Sequence, residues 1–313
     1  MINEKILNIK YFYLICALTV SITSIDIIIQ FLFDKNIIGL VPPTKNHYSG
    51  FFGNELIAGG FILKFYSTLI LLPIIFNFKN FNYSIHVFLF LFFLFAIILS
   101  GNRMPLILYL ISLIFFIVYL KNFKKYFWKF FFTFVLFLII LFNTFPKFKY
   151  NVGSIYYYGE KLITIFITSN QESPSIESFK LPYVGEFYCG KIIIEKNPVI
   201  GGGIRSYRTH SNGCHTHPHN YYLEIVSELG LIGLTLIIIF VFQLLFESLK
   251  ILRLNSNRIN TTSHMLIPPF LFILIEFFPF RSSGSFFSTS NASIIFIFFA
   301  ILVSLMVNKS NKV

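Results

Sequence analysis

His210, Cys214, His215, His217 and His219 crowd into one short stretch of this chain. They lie inside Asn197–Gly233, NPVIGGGIRSYRTHSNGCHTHPHNYYLEIVSELGLIG, between a glycine triplet and a hydrophobic run. Two chemistries suit such a set. Histidine and cysteine are zinc ligands, but the spacing serves a metal poorly. CxxC and HExxH are both absent, and Pro218 stiffens the alternating His215, His217, His219 run. Acid–base chemistry fits better, because an imidazole with a pKa near ~6.5 can take a proton from a hydroxyl at neutral pH. His219 stands where a helix is expected to begin, at Asn220 or Tyr221, and a helix N-terminus attracts anions. Alone, it would read as a surface histidine at a helix start.

Its neighbours add weight. Asn220, Glu224 and Glu228 recur at i, i+4 and i+8, which puts them on one helix stripe. Two carboxylates there can orient the histidine, bind hydroxyls or pair with an arginine. Gly201-Gly202-Gly203, followed by Arg205 and Arg208, offers backbone N–H groups that could cradle phosphate. The run is not a GxxxxGK[ST] loop, so nucleotide triphosphate hydrolysis is not supported. Ser100-Gly101-Asn102-Arg103 sits between two apolar runs with almost no connecting loop, and Arg281 follows Phe278-Pro279-Phe280. Guanidinium groups grip phosphate bidentately. Held this tightly, Arg103 and Arg281 make a clamp suited to a diphosphate.

The elements that must position these groups are hydrophobic. Of 313 residues 56% are hydrophobic and 12% charged, with 43 Phe and 17 Tyr, and the mean hydropathy is +0.74. Soluble domains carry roughly 25% charged residues, so too little polar surface is available to cover a soluble particle. The apolar runs are continuous, which favours membrane helices over an alternating barrel pattern. The expected fold class is all-α, a polytopic membrane helix bundle. The first apolar run is too long for a cleavable signal peptide and lacks a small-residue cleavage site.

Eight spans are expected, at 11–33, 54–76, 83–100, 104–120, 128–145, 222–247, 265–280 and 291–307, most near the ~17–25 residues a crossing needs. The second contains Gly59, Gly60, Lys64 and Pro73, and the first is expected to end early, with Asp26–Phe33 in the interface. The net charge is +12. A nucleic-acid partner is not implied, because the basic residues gather in alternate short loops. Lys5 and Lys10, Lys79, Lys121 to Lys129, Lys250 to Arg258, and Lys309 and Lys312 mark the cytoplasmic side. Arg103, Arg205, Arg208, Arg281 and the histidines then share the opposite face. Arginines on that side run against the topogenic preference, which favours function over snorkelling at helix ends.

The chain thus divides into N-terminal transmembrane helices (1–145), one long outer loop (146–220) and C-terminal transmembrane helices (221–313). That loop has roughly 75 residues against a usual ~4–6. Short helices lying on the membrane are expected in it, one of them around Lys191–Ile194 and ending near Asn197-Pro198. Cys16 is expected to be packing. Cys189 and Cys214 share the outer loop and can be either a disulfide or two free thiols.

These residues carry a resemblance. Asn197-Pro198, Gly201, Gly203, His217-Pro218-His219-Asn220, Glu228-Leu229-Gly230 and Gly233 resemble the shared motif of the O-antigen ligase and O-antigen polymerase family. In that motif a His is followed by Asn, Ser or Gln, then by a Gly and a second small residue or Tyr. Here those positions are His219, Asn220, Gly230 and Gly233. Ser100-Gly101-Asn102-Arg103 resembles the family's Ser-Gly-x-Arg turn. Gly50-Phe51-Phe52-Gly53-Asn54-Glu55 resembles an earlier Gly-rich element, and Arg281-Ser282-Ser283-Gly284-Ser285-Phe286-Phe287 a late Arg/Ser/Gly segment. Family members usually have more spans than the eight read here.

The resemblance implies a metal-independent membrane glycosyltransferase with a GT-C-like bundle and no cofactor. It would sit in the bacterial inner membrane with its active site facing the periplasm. Its donor would be a glycan on undecaprenyl diphosphate. Its acceptor would be lipid A–core for a ligase, or another carrier-linked glycan for a polymerase. By the same resemblance His219 is the candidate base, and Arg103 and Arg281 hold the diphosphate. Arg205, Arg208, His217, Asn220 and Glu224 complete the candidate binding set. Two other classes share some of these features. A lipid-linked glycan transporter would share the arginine-rich outer face but should show internal repeats and broken helices at midplane, and no clear repeat is visible. A metal-binding membrane sensor would need the histidines as ligands.

Overall fold

The computed structural model describes residues 8–44, 47–76, 83–119, 121–144, 146, 149, 184–210, 217–254, 264–279, 281 and 284–310. Ten α-helices fall among the described residues, and no strand beyond an isolated bridge between Thr44 and His47. They are α1 (Ile9–Phe33), α2 (Ala58–Ile75), α3 (Tyr83–Leu99), α4 (Arg103–Tyr119), α5 (Lys121–Thr144), α6 (Val184–Lys196), α7 (Ser206–His210), α8 (Tyr221–Leu254), α9 (Ile267–Glu276) and α10 (Thr289–Ser310). A helix lies at each of the eight places where a span is expected. Four of them, α1, α2, α8 and α10, are long and apolar enough to cross a membrane. Shorter apolar segments lie within α3, α4, α5 and α9. The described residues are those of a helical membrane protein.

Two compact units emerge. The first holds Met1–Lys161, Ile251–Phe272 and Ser304–Val313, the second Leu162–Lys250 and Ile273–Val303. In the first, aromatic side chains fill the space between α2, α3 and α4. Tyr66 packs against Phe93, Tyr109 and Phe116, and Phe90 against Tyr109 and Phe116. Buried phenols need partners. Tyr109 donates to the Phe90 carbonyl at 2.8 Å, and Tyr66 donates to the Ser112 hydroxyl.

The helix α1 runs on through Asp26. It continues to Phe33, and Asp34 closes it in the left-handed conformation. Asp26 turns inward, fully buried, and holds the following loop. Its carboxylate accepts the Asn36 amide at 3.1 Å and the Ile37 N–H at 2.9 Å. One turn on, Gln30 accepts the Gly50 N–H at 2.9 Å. Gly50 starts a 3-10 turn (Gly50–Phe52) at φ 57°, and a Cβ there would lie 2.8 Å from the Asp26 carboxylate. This pinned turn explains why α2 begins at Ala58 and not at residue 54. Pro73 is accommodated within its last turn.

The second unit is built around α8. This element is two helical segments joined at Gly230, whose φ of 67° and ψ of −171° are not helical. Before the break the helix is buried, with Leu223, Glu224, Ile225, Ser227 and Glu228 all under a tenth exposed. After it the apolar face is open, as at Leu231, Leu236 and Phe242. Helices α6 and α7 pack together through Cys189, Ile193 and Tyr207. Gly190 on α6 lies against Leu223, where a Cβ would approach to 2.5 Å. As the KIII run led us to expect, α6 ends at Lys196, directly before Asn197-Pro198.

Candidate functional site

At the start of α8 the amide of Asn220 caps the helix, its Oδ1 accepting the Leu223 N–H at 3.1 Å. The same side chain donates from Nδ2 to the Pro279 carbonyl at 2.8 Å. Pro279 lies two residues before Arg281, so the His219–Asn220 step and the turn carrying Arg281 are brought together. Two tyrosines on the first turn strengthen the joint. Tyr221 donates to Glu276 Oε2 at 2.9 Å, and Tyr222 donates to the Phe277 carbonyl. Glu276, the last residue of α9, faces Arg281 at 2.6 Å, and both side chains are buried. The contact is charge to charge, without hydrogen-bond alignment.

One turn into α8, Glu224 ties the helix to the segment after Arg281. Ser285 donates its hydroxyl to Oε1 at 2.5 Å, and the Phe286 N–H reaches Oε2 at 2.5 Å. His219 itself is half-buried and adopts the left-handed conformation, φ 49°. Histidine is among the non-glycine residues enriched there. The His217 ring meets it edge-on, with centroids 4.2 Å apart. The candidate base therefore sits just outside the N-terminus of α8, where the helix dipole and free N–H groups favour negative charge.

The glycine triplet has a different task from the one its composition suggests. A helix break leaves N–H and C=O groups without intrahelical partners. Here the segment Pro198–Gly203 supplies them. Across the break Leu231 N–H bonds the Pro198 carbonyl at 2.9 Å and Ile232 N–H the Val199 carbonyl at 3.2 Å. In return the Gly202 and Gly203 N–H groups bond the Ser227 and Glu228 carbonyls, each at 2.9 Å. The Gly201 N–H bonds the Asn197 carbonyl at 3.0 Å. All three N–H groups are spent inside the protein, so they do not form a phosphate cradle. Glycine is required by proximity: a Cβ on Gly201 would stand 2.4 Å from the Glu228 carbonyl, and one on Gly230 2.2 Å from the Val199 oxygen. Arg205 follows in the left-handed conformation, φ 69°, with its N–H beside the Glu228 carboxylate. Its side chain and that of Arg208, on α7, are exposed.

Arg103 belongs to the first unit, where it opens α4. The turn before it is wedged on both sides. Gly101 has φ 71° and lies under the His47 imidazole, which a Cβ would meet at 2.5 Å. Asn102 clamps the start of α2, its Oδ1 accepting the Gly59 N–H at 3.0 Å and its Nδ2 donating to the Leu56 carbonyl at 2.8 Å. Burial, and then the nearby Arg103 charge, hold the His47 pKa below its ordinary 6.5. Beside the turn lies a cavity of about 400 Å³ between α3, α4 and α5. Leu94, Ile97, Leu106, Phe134 and Phe142 give it apolar walls, and Asn102, Arg103 and Asn143 supply its polar groups.

His210 has its backbone in α7, while Cys214 and His215 lie outside the described residues. Among the described residues no group of three His, Cys, Asp or Glu side chains could hold a metal. Cys16 is free and buried, whereas Cys189 is disulfide-bonded; its expected partner, Cys214, lies outside the described residues. Three participants escaped sequence reasoning: Glu276, Tyr221 and His47. Glu276 did carry a signal, since it is the one ionisable residue in the apolar run IPPFLFILIE, and such residues mark partners or sites.

Residues 88–238 match the sequence model of the O-antigen ligase family. No curated protein and no solved structure matches the chain. The matched segment takes in the Ser100–Arg103 turn, the glycine triplet, His217 to Asn220, and the break at Gly230, each now given a place in the fold. The match, over just under half of the chain, supports the O-antigen ligase and polymerase family, and α8, which begins within the matched segment, is long and apolar enough to cross a membrane.

Proposed function

We propose that the protein moves a glycan from undecaprenyl diphosphate to an acceptor hydroxyl, on lipid A–core in the ligase reading, at the periplasmic face of the inner membrane. In the reaction His219 takes the proton from the acceptor hydroxyl. The freed oxygen attacks the anomeric carbon of the donor sugar, and the bond from that carbon to the diphosphate oxygen breaks. Undecaprenyl diphosphate leaves with the electron pair, its growing charge met by guanidinium groups. Arg281 and Arg103 are the proposed diphosphate ligands. Arg205 and Arg208, exposed near Glu228 and Glu224, are the proposed contacts to further anionic or hydroxyl groups. His217, Asn220 and Glu224 act as positioning residues for His219 and for the first turn of α8. No metal is needed for these steps.

The observation that supports the reading is the hydrogen bond between Asn220 and Pro279, which joins the step after His219 to the turn before Arg281. The cavity beside Arg103 supports it, since apolar walls and a guanidinium suit a lipid with an anionic head. A polymerase would use the same donor chemistry with a carrier-linked glycan as acceptor. The test is glycan transfer by His219→Ala protein that inserts and purifies normally. Transfer should be abolished; retained transfer would remove His219 as the base. Deletion of the gene separates the two acceptors on a polysaccharide gel. Unattached carrier-linked chains indicate a ligase, and attachment of a single repeat indicates a polymerase.

A further inference from the structure

The break at Gly230 separates two environments. The preceding turns of α8 are covered by protein and carry Glu224, Ser227 and Glu228, while the following turns are apolar and open. Leu231 to Phe246 contains no charged residue, and Glu247, Lys250 and Arg253 follow. The roughly 20 residues from Leu231 to Lys250 rise about 30 Å as a helix, the thickness of a hydrocarbon core. Charges at one end and the break at the other therefore bracket a single crossing. Gly230 would then lie at a membrane–water boundary, with the carboxylates of α8 outside the hydrocarbon.

The segment bonded across the break must lie at the same level. It turns a row of apolar side chains outward: Val199 is 55% exposed, Ile200 71% and Ile204 66%. Leu231 and Ile232, each 52% exposed, adjoin them through the paired backbones. The patch is thus continuous with the open face of a membrane-crossing helix. Immediately after it come two exposed cations, Arg205 and Arg208. Apolar side chains beside arginines at this depth have the chemistry of a surface that meets lipid headgroups.

We propose that Pro198–Arg208 is a bilayer-docking strap. Val199, Ile200 and Ile204 enter the outer edge of the hydrocarbon beside Leu231, and Arg205 and Arg208 stand at headgroup level, where the phosphates of bilayer lipid and the anionic head of a lipid-linked substrate both lie. Bilayer contact and the four backbone hydrogen bonds then hold the broken helix together, so that membrane depth fixes where the start of α8 stands. The assignment rests on the membrane crossing of α8 and not on glycan transfer.

A single tryptophan tests it. In a Trp128→Phe background, Ile200→Trp is placed in the full chain and reconstituted in bilayers of phosphatidylcholine and phosphatidylglycerol. Val199→Trp serves as a second probe should the first fail to fold, and Ile238→Trp marks the depth of the helix. Lipids brominated near the glycerol end should quench residue 200 more than lipids brominated near the methyl end, with the opposite order at residue 238. Brominated phosphatidylglycerol should quench residue 200 more than brominated phosphatidylcholine, and Arg205→Gln with Arg208→Gln should remove that preference. Quenching of residues 199 and 200 by aqueous iodide alone would overturn the proposal, and so would protection from both iodide and bromine, the sign of a protein partner. Equal quenching by the two lipids would overturn the assignment of the arginines.

Discussion

Replacing Gly230 by alanine puts the broken helix to the test. At φ 67° and ψ −171° the residue occupies a region that is essentially glycine-only, and forcing a side chain into it costs about 1–3 kcal/mol. The new Cβ would stand 2.2 Å from the Val199 oxygen and 2.5 Å from the Gly201 nitrogen, both backbone atoms with no side-chain freedom to give way. Relief requires the strap to lift, and lifting it breaks four hydrogen bonds, at Leu231, Ile232, Gly202 and Gly203. At ~0.5–1.5 kcal/mol each these are worth about 2–6 kcal/mol. Together the two terms reach about 3–9 kcal/mol, comparable with the whole stability of a typical domain at ~5–15 kcal/mol. Alanine also favours a continuous helix, which would swing Asn220 away from Pro279. Gly60→Ala is the control: it lies in α2 with no atom within 4 Å of its added Cβ, and alanine in a helix gains up to ~1 kcal/mol. Thermal unfolding of purified protein, followed by loss of the monodisperse peak, should show Gly230→Ala far below the wild type and Gly60→Ala at or above it. A Gly230→Ala protein that melts with the wild type and transfers glycan normally would refute the reasoning.

Glu276→Gln should destabilise the protein by about 3–5 kcal/mol, because it leaves the buried Arg281 charge without its counter-ion. Combining it with Arg281→Gln should recover part of the loss, and a double mutant that melts lower than Glu276→Gln would contradict the ion pair. Stability should also depend on pH through His47. Burial and Arg103 lower the His47 pKa below 6.5, so the unfolded chain binds this proton more readily than the folded one. Stability from this group is complete above pH ~6.5 and declines as pH falls toward the lowered folded value. The melting temperature should drop on acidification through that window, and His47→Gln should shrink the drop; an unchanged slope in the variant would assign the effect elsewhere.

Much of the scaffold was legible in the chain. Continuous apolar runs with cationic connections mark helices at all eight expected places, since burial in lipid and in protein both demand them. The helix start beside His219 was legible too: it was expected at Asn220 or Tyr221, where the apolar run begins, and α8 starts at Tyr221. The break at Gly230 was not. Within an apolar run a single glycine is compatible with an uninterrupted helix, and the partner that satisfies the broken ends comes from Pro198–Gly203, far off in sequence. For the same reason the glycine triplet suggested a phosphate loop: composition shows that N–H groups can be approached, not what approaches them. The partners of Asp26 were hidden in a related way. A carboxylate in an apolar run shows that a partner is needed, but not that Asn36 and the Ile37 N–H supply it. Pairings such as Glu276 with Arg281 and Tyr221 depend on tertiary contacts that no local pattern encodes.

The proposed function requires Arg103 and Arg281 to serve one diphosphate together with His219. Cysteines replacing both arginines, in a Cys16→Ser background, test it most directly when a membrane-impermeant, short bifunctional thiol reagent is added from the periplasmic side. An intramolecular cross-link is expected, and it should be missing from the same background without the introduced pair. Labelling of the two positions from opposite sides of the membrane, or no cross-link even with a long reagent, would contradict it.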